Sequence, residues 1–131
     1  HLIFLRYADV LLMYAEACNE LGESREALDK LEMVRARARR TVHPADMTVG
    51  LPEITETGKE KLREIIWNER RIELALEGHR FFDLIRADNV VPGYAEKMMK
   101  AHGKTNFSIA KHATFFIPQK QVDISQGVLK N

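Results

Sequence analysis

Apolar residues recur at helical spacing in the first third of the chain. They predict one helix from about Phe4 to Leu21 and a second from Ser24, a candidate N-cap, to about Arg40. Gly22 lies between the two and is a natural helix stop. Because the link is so short, the two helices are expected to form an antiparallel hairpin.

The middle of the chain alternates between loop and helix. Residues 41–58 include Pro44 and are rich in glycine, proline and threonine, so they predict a loop. A third helix is predicted from about Lys59 to Glu77, and a short helix from Arg80 to Arg86 follows it. Gly78 interrupts the pattern between them.

Weaker patterns mark the C-terminal third. Pro92 at a first-turn position predicts a helical segment to about His102, and residues 103–113 show no periodicity. Residues 114–118 are predicted to be extended, because the residue before a proline avoids helical angles. Residues 119–131 are predicted to be a turn-rich tail.

These elements predict an all-α fold, with helical hairpins of tetratricopeptide-like type and an extended C-terminal tail. Ala15, Leu21, Gly22 and Ala27 stand at roughly the spacing of that repeat. Since one and a half repeats cannot bury their faces without neighbours, we expect residues 1–131 to be a single helical domain cut from a longer protein.

Charged residues fall on faces that should be apolar. At about 100° per residue, the apolar positions of the third helix define one arc. That arc contains Leu62, Ile65, Ile66, Ile72 and Leu76. Glu69 and Glu73 fall inside it, and Arg35 falls inside the apolar arc of the second helix. Because a lone buried charge is very costly, Arg35 is predicted to pair with Glu69 or Glu73.

Composition narrows the function classes. The chain has 20 Lys and Arg against 19 Asp and Glu, a net charge of +1, which gives no electrostatic reason to expect nucleic acid as a partner. The one cysteine, Cys18, cannot form an internal disulfide. The histidines have no metal-ligand spacing and no phosphate-binding loop occurs, so no metal or cofactor is predicted.

Three features invite a ligand or catalytic interpretation. Glu69 and Glu73 could form a general acid/base pair as in a glycosidase, but the surrounding isoleucines and leucines argue against a cleft. Trp67 could stack on a sugar ring, although packing is the favoured interpretation for a tryptophan on a helix. Tyr94 and Phe107 lie in irregular regions and are the candidate ligand contacts.

Three ordered segments resemble the C-terminal region of the SusD/RagB family. They are residues 5–17, residues 68–86 and residues 116–125. The middle segment matches the family pattern at Glu69, Arg70, Glu77, Gly78, Arg80, Asp83, Leu84 and Arg86. The last segment departs from the family at Gln121, where a glutamate is usual.

The resemblance implies a lipid-anchored, non-catalytic protein on the outer-membrane surface of Bacteroidetes-type bacteria. Such proteins bind oligosaccharides or other nutrients and work with a SusC-type TonB-dependent transporter. Cys18 lies inside a helix and does not suit a lipid anchor, so the anchor is expected outside this chain. Family ligand contacts lie largely elsewhere, so Arg70, Glu77 and Arg80 are expected to form structural ion pairs.

Two further functions remain open. The hairpins could instead form a protein-interaction module that docks a transporter or a peptide, and a glycoside hydrolase is the more distant alternative. No heptad repeat stands out, so the sequence predicts no oligomeric state. Apolar surface meant for the missing part of the protein is expected to make the isolated chain self-associate.

Overall fold

The computed structural model describes residues 5–42, 45 and 50–130, and it describes 41 and 42 by their backbone alone. Within these ranges the helical periodicity corresponds to seven α-helices. The helices are α1 (Tyr7–Leu21), α2 (Ser24–Val42), α3 (Lys59–Glu73), α4 (Arg80–Val90), α5 (Tyr94–Ala101), α6 (Ile109–His112) and α7 (Gln119–Ile124). The described residues contain no strand, so the predicted all-α class is confirmed. Phe4, Pro44 and Asn131, which the predictions included, lie outside the described residues.

The α1–α2 hairpin is confirmed. Gly22 ends α1 with a φ of 86°, and its N–H donates to the Asn19 carbonyl while that of Glu23 donates to the Cys18 carbonyl. These two bonds form a Schellman motif, in which glycine takes the left-handed position without steric cost. The N-cap predicted at Ser24 is wrong by one residue, because the Glu23 carbonyl accepts the first hydrogen bond of α2. The Ser24 hydroxyl donates to the Thr57 carbonyl instead of capping the helix.

The chain divides into two compact units, His1–Arg80 and Phe81–Asn131. In the first unit, α1, α2 and α3 pack around one apolar core. The core consists of Leu11, Leu12, Ala15, Cys18, Ala27, Leu31, Val34, Leu62 and Ile66. No helix within the described ranges has the length and apolar content needed to cross a bilayer.

The apolar face predicted for α3 is partly wrong. Ile72 and Leu76 are exposed, whereas Trp67 and Leu74 are buried. The buried face is turned toward α1, because Trp67 and its neighbour Arg70 contact that helix. The helix also stops four residues early, at Glu73, since the turn that follows places Leu76 in the left-handed region at a φ of 67°.

Short helices in the second unit fall where the sequence predicted irregular chain. α6 lies within residues 103–113 and α7 opens the predicted tail. In each helix, the carbonyl of the residue just before it accepts the first backbone hydrogen bonds. That residue is Ser108 for α6 and Pro118 for α7. Helices of four and six residues are too short to show periodicity, which is why the sequence pattern missed them.

Truncating a core side chain should destabilise the first unit strongly. Leu12 is fully buried, so Leu12→Ala is expected to lower the free energy of unfolding by about 2–5 kcal/mol through lost contacts and a residual cavity. Leu76→Ala removes the same atoms from an exposed side chain and should cost under about 0.5 kcal/mol. Urea titration measures both, and equal effects would contradict this core.

Candidate functional site

The structure brings the inward arginine of α2 to one of the two candidate glutamates. Arg35 Nη1 lies 2.6 Å from Glu69 Oε2, and both residues are buried. Arg35 Nη2 donates to the Pro52 carbonyl at 2.9 Å, which attaches the loop before α3 to α2. Among the described residues the buried Arg35 Nε has no hydrogen-bond partner, so the guanidinium donates through its two terminal nitrogens.

Glu73 forms ion pairs with two other arginines, Arg6 and Arg37. Its Oε1 accepts from Arg6 Nη1 at 2.6 Å and from Arg37 Nη2 at 2.5 Å. Because Arg6 precedes α1 and Arg37 belongs to α2, this single carboxylate joins the end of α3 to both other helices. The two glutamates are one helical turn apart and have separate cationic partners, so they do not form a shared acid/base pair.

Arg6 caps the C-terminal end of α3. Its Nη2 donates to the Glu73 carbonyl, and its Nε donates to Glu77 Oε2 at 2.9 Å. The hydrogen bonds that Arg6 donates to Glu77, followed by those it donates to Glu73, raise the pKa of Arg6, and Arg6 in turn lowers the pKa of Glu77. A cation at this end is favoured by the helix dipole and satisfies a carbonyl that has no partner within the helix.

A row of polar contacts, which we call the α1–α3 seam, runs between the two helices. Its ion pairs are Arg6–Glu73, Asp9–Arg70 and Glu20–Arg63. Residue numbers rise along α1 while they fall along α3, so the helices are antiparallel. The Asp9–Arg70 contact, at 2.7 Å, is buried on both sides.

Trp67 belongs to the same seam and is not a platform for a sugar ring. Only 4% of its surface is exposed, and its Nε1 donates to Glu16 Oε1 at 2.9 Å. The Arg63 guanidinium lies 6.0 Å from the ring centroid, within reach of a cation–π interaction. The indole therefore closes the interior between α1 and α3.

The remaining predicted site residues lie at the edge of the first unit or in the second. Arg80 is half-buried at the start of α4. Tyr94 is the half-buried first residue of α5. Phe107 stacks on the His112 ring with centroids 5.4 Å apart. A ligand contact for Tyr94 or Phe107 stays a prediction.

Sequence reasoning missed the polar residues of α1. Asp9, Glu16 and Asn19 are all buried, and the Asn19 amide donates to the Lys59 carbonyl at 2.9 Å. At about 100° per residue, Asn19 falls within the apolar arc of α1, whereas Glu16 and Asp9 lie beyond its edge. The angular test that singled out Arg35, Glu69 and Glu73 would therefore have found Asn19 but not the two acidic residues.

The candidate reactive groups of the first unit are engaged in structural contacts or buried. Glu69 lies beside an open groove of about 540 Å³ that Lys61, Glu64 and Asn68 also line, yet its carboxylate is held by Arg35. Burial raises the pKa of the Cys18 thiol, which disfavours the nucleophilic thiolate. Within the described residues no group of three or more His, Cys, Asp or Glu side chains could hold a metal ion.

Removing the Glu69 carboxylate should leave the Arg35 charge stranded in the interior. Glu69→Leu is expected to lower the free energy of unfolding by about 3–5 kcal/mol, measured by urea titration. Glu26→Leu is the matched control, because Glu26 pairs with Lys30 at the surface and should cost under about 1 kcal/mol. If Glu69→Leu and Glu26→Leu have the same free energy of unfolding, the Arg35–Glu69 ion pair is accessible to water.

Acid should weaken the Glu20–Arg63 contact of the seam. The Arg63 bond, followed by Lys59, lowers the pKa of Glu20 below its ordinary 4.5. A carboxylate with a lowered folded pKa stabilises the fold fully above its unfolded pKa, and that stabilisation is lost as pH falls through the folded value. The stability difference between wild type and Glu20→Gln should thus shrink from about pH 6 to about pH 3.

Urea titrations across that pH range measure the difference. Glu53→Gln changes an exposed glutamate and serves as the control, because it should alter stability little at any pH. A Glu20→Gln deficit that grows on acidification would contradict the assignment.

Comparison with known proteins assigns the sequence to a family. The sequence model of the SusD family matches residues 1–131. SusD-like protein P38 of Formosa agariphila is 38% identical over 92 residues, which are 70% of this chain and 18% of that protein. From the same organism, SusD-like protein P2 is 42% identical over 86 residues, which are 63% of this chain and 16% of that protein.

SusD-like protein P25 of Formosa agariphila is 42% identical over 84 residues, which are 64% of this chain and 15% of its own length. The chain thus spans less than a fifth of the curated relatives that it matches. No solved structure matches it. The match over all 131 residues confirms the resemblance drawn from the three motifs, and the chain belongs to the SusD family.

Proposed function

We propose that the protein is a nutrient-binding component of the bacterial outer-membrane surface, and that these residues are part of its helical framework. Oligosaccharides are the proposed ligand class, and a SusC-type TonB-dependent transporter is the proposed partner. The observation that carries the proposal is the family match over the whole chain. The interior contacts support the framework role, because the inward charged groups of α1, α2 and α3 bind one another.

Catalysis forms no part of the proposal. A glycosidase needs two carboxylates on opposite sides of a bond, one of them able to hold a proton at neutral pH. Glu69 is bound by Arg35, and Glu73 is bound by Arg6 and Arg37. Both carboxylates are thus engaged by guanidinium groups of the same chain, so the role we propose for them is structural.

Attachment to the membrane is proposed to use a lipid carried elsewhere in the protein. Cys18 is 5% exposed within α1, and its neighbours Ala15 and Leu12 belong to the same core. A lipid on that thiol would have to enter a closely packed interior, where added volume is costly. The proposed anchor therefore requires another cysteine.

Calorimetry with soluble glycans tests this function. The full-length polypeptide that contains this chain should give saturable heat with at least one oligosaccharide, whereas the 131-residue chain alone should give none. Variants Lys61→Ala and Asn68→Ala, on the open groove, should leave the dissociation constant of the full-length protein within about twofold.

Other outcomes of the same titrations would change the proposal. Saturable binding to the 131-residue chain, lost in Asn68→Ala, would place a ligand site in the groove. Capture of a transporter ectodomain without any glycan binding would favour the protein-interaction module. Release of shorter sugars from any glycan would contradict a purely binding role.

A further inference from the structure

The near-zero net charge of the chain conceals an uneven distribution. The first unit, His1–Arg80, carries 13 Lys and Arg against 15 Asp and Glu, whereas Phe81–Asn131 carries 7 against 4. The type of cation also differs, because 10 of the 13 in the first unit are arginine and 6 of the 7 in the second are lysine. Such an asymmetry between two parts of a chain indicates a surface that meets a charged partner.

The arginines and the lysines have different surroundings. Arg35, Arg63 and Arg70 are buried or half-buried and form ion pairs inside the first unit. A guanidinium fork suits that role, whereas an ammonium group on a long flexible stem is a strongly hydrated point charge. The six lysines of the second unit are all exposed. They therefore present their charge to whatever surrounds the protein.

Most of these lysines lie in one segment that has a single acidic residue. Residues 89–122 contain five lysines, and their one carboxylate is that of Glu96. Glu96 is half-buried, and its Oε1 accepts from the Ile109 amide at 3.2 Å. Its Oε2 lies 3.7 Å from Lys100 Nζ. One carboxylate that is already engaged thus leaves most of the ammonium charge of the segment unbalanced.

Four of these residues form what we call the lysine surface, namely Lys97, Lys100, Lys104 and Lys111. The first two are one turn apart on α5, and Lys104 stays close to the end of that helix because its N–H donates to the Met99 carbonyl at 2.9 Å. The hydrogen bond from α6 to α5 described above holds Lys111, the third residue of α6, beside α5. Within the part of the chain that the structure describes, Lys97, Lys104 and Lys111 form no ion pair.

The charges of the lysine surface are close enough to act together. Lys97 and Lys104 are seven residues apart, which is about 10 Å at the rise of a helix. The Debye length at 0.1 M salt is also about 10 Å, so exposed charges at this spacing add their attraction for a common partner. Ammonium groups spread over the exposed side of short helices suit an extended anionic surface, whereas a small ligand is usually held by convergent groups in a pocket.

We propose that the lysine surface binds the phosphate-bearing lipid headgroups of a membrane. A lysine held near an anionic membrane surface raises the affinity by about fivefold, so four of them form an electrostatic attachment beside the proposed lipid. Phe107 in the same segment is half-buried and stacked on His112, so charge is the chemistry that this surface presents. The inference rests on the proposed outer-membrane location and is independent of the nutrient.

Cosedimentation with lipid vesicles tests the proposal on the full-length polypeptide made without an acyl chain. One set of vesicles is phosphatidylcholine alone, and the other is an equal mixture of phosphatidylcholine and phosphatidylglycerol. The partition coefficient should be at least about a hundredfold larger on the mixed vesicles in about 0.05 M salt, and the difference should disappear in about 0.5 M salt.

A triple variant tests whether the lysines are responsible. It combines Lys97→Gln, Lys104→Gln and Lys111→Gln. Binding to the mixed vesicles should fall at least about tenfold, because each lysine contributes about fivefold. Arginine at the same three positions keeps the charge and should bind within about threefold of the wild type.

A matched control removes three exposed charges from the first unit, through Arg25→Gln, Arg40→Gln and Lys61→Gln. Both triple variants have the same net charge, yet the control should bind within about threefold of the wild type. Equal losses in the two variants would overturn the proposal, because net charge and not the lysine surface would then set the affinity. Circular dichroism of each variant checks that the helices are intact.

The vesicle experiment and the glycan calorimetry can fail separately. A full-length protein that binds a glycan but does not prefer the mixed vesicles would overturn this inference and leave the proposed nutrient binding in place. Lysine-dependent vesicle binding without any glycan binding would support this inference and contradict the proposed nutrient binding. Lysine-dependent binding to dextran sulfate, with none to the vesicles, would assign the surface to an anionic polysaccharide and overturn the proposal.

Discussion

Arg35 and Glu69 meet in an interior where neither charge could remain alone. An unpaired ion in such a place costs several kcal/mol, so the buried guanidinium of Arg35 needs a carboxylate partner. Asp9 and Arg70 repeat the arrangement between α1 and α3. Apolar side chains tolerate small shifts along a helix, whereas a 2.6 Å contact does not, so the ion pairs fix how far each helix slides past the next.

Several local features follow from that constraint. Glu73 accepts from arginines on both sides, and Arg6 covers the carbonyl at the end of α3, which is where the helix stops. Arg35 also holds the Pro52 carbonyl, so the segment before α3 is attached to α2.

Sequence patterns predicted the elements of the first unit and part of its interior. The angular test found Arg35 and Glu69 because their neighbours on each helix are strongly apolar. It misplaced Ile72, since the five aliphatic positions of the arc outweighed Trp67 and Arg70 in defining the face. Which of two glutamates Arg35 contacts depends on the sliding of α2 past α3, a property of the packed pair that neither helix carries by itself.

The chain belongs to the SusD family, and we propose that buried charge sets the register of its first three helices. A double-mutant cycle on Arg35→Met and Glu69→Leu tests that claim most directly. We expect a coupling free energy of at least about 2 kcal/mol, with the double variant more stable than either single variant. Additive effects within about 0.5 kcal/mol would contradict it, because they would mean that the two side chains do not depend on each other.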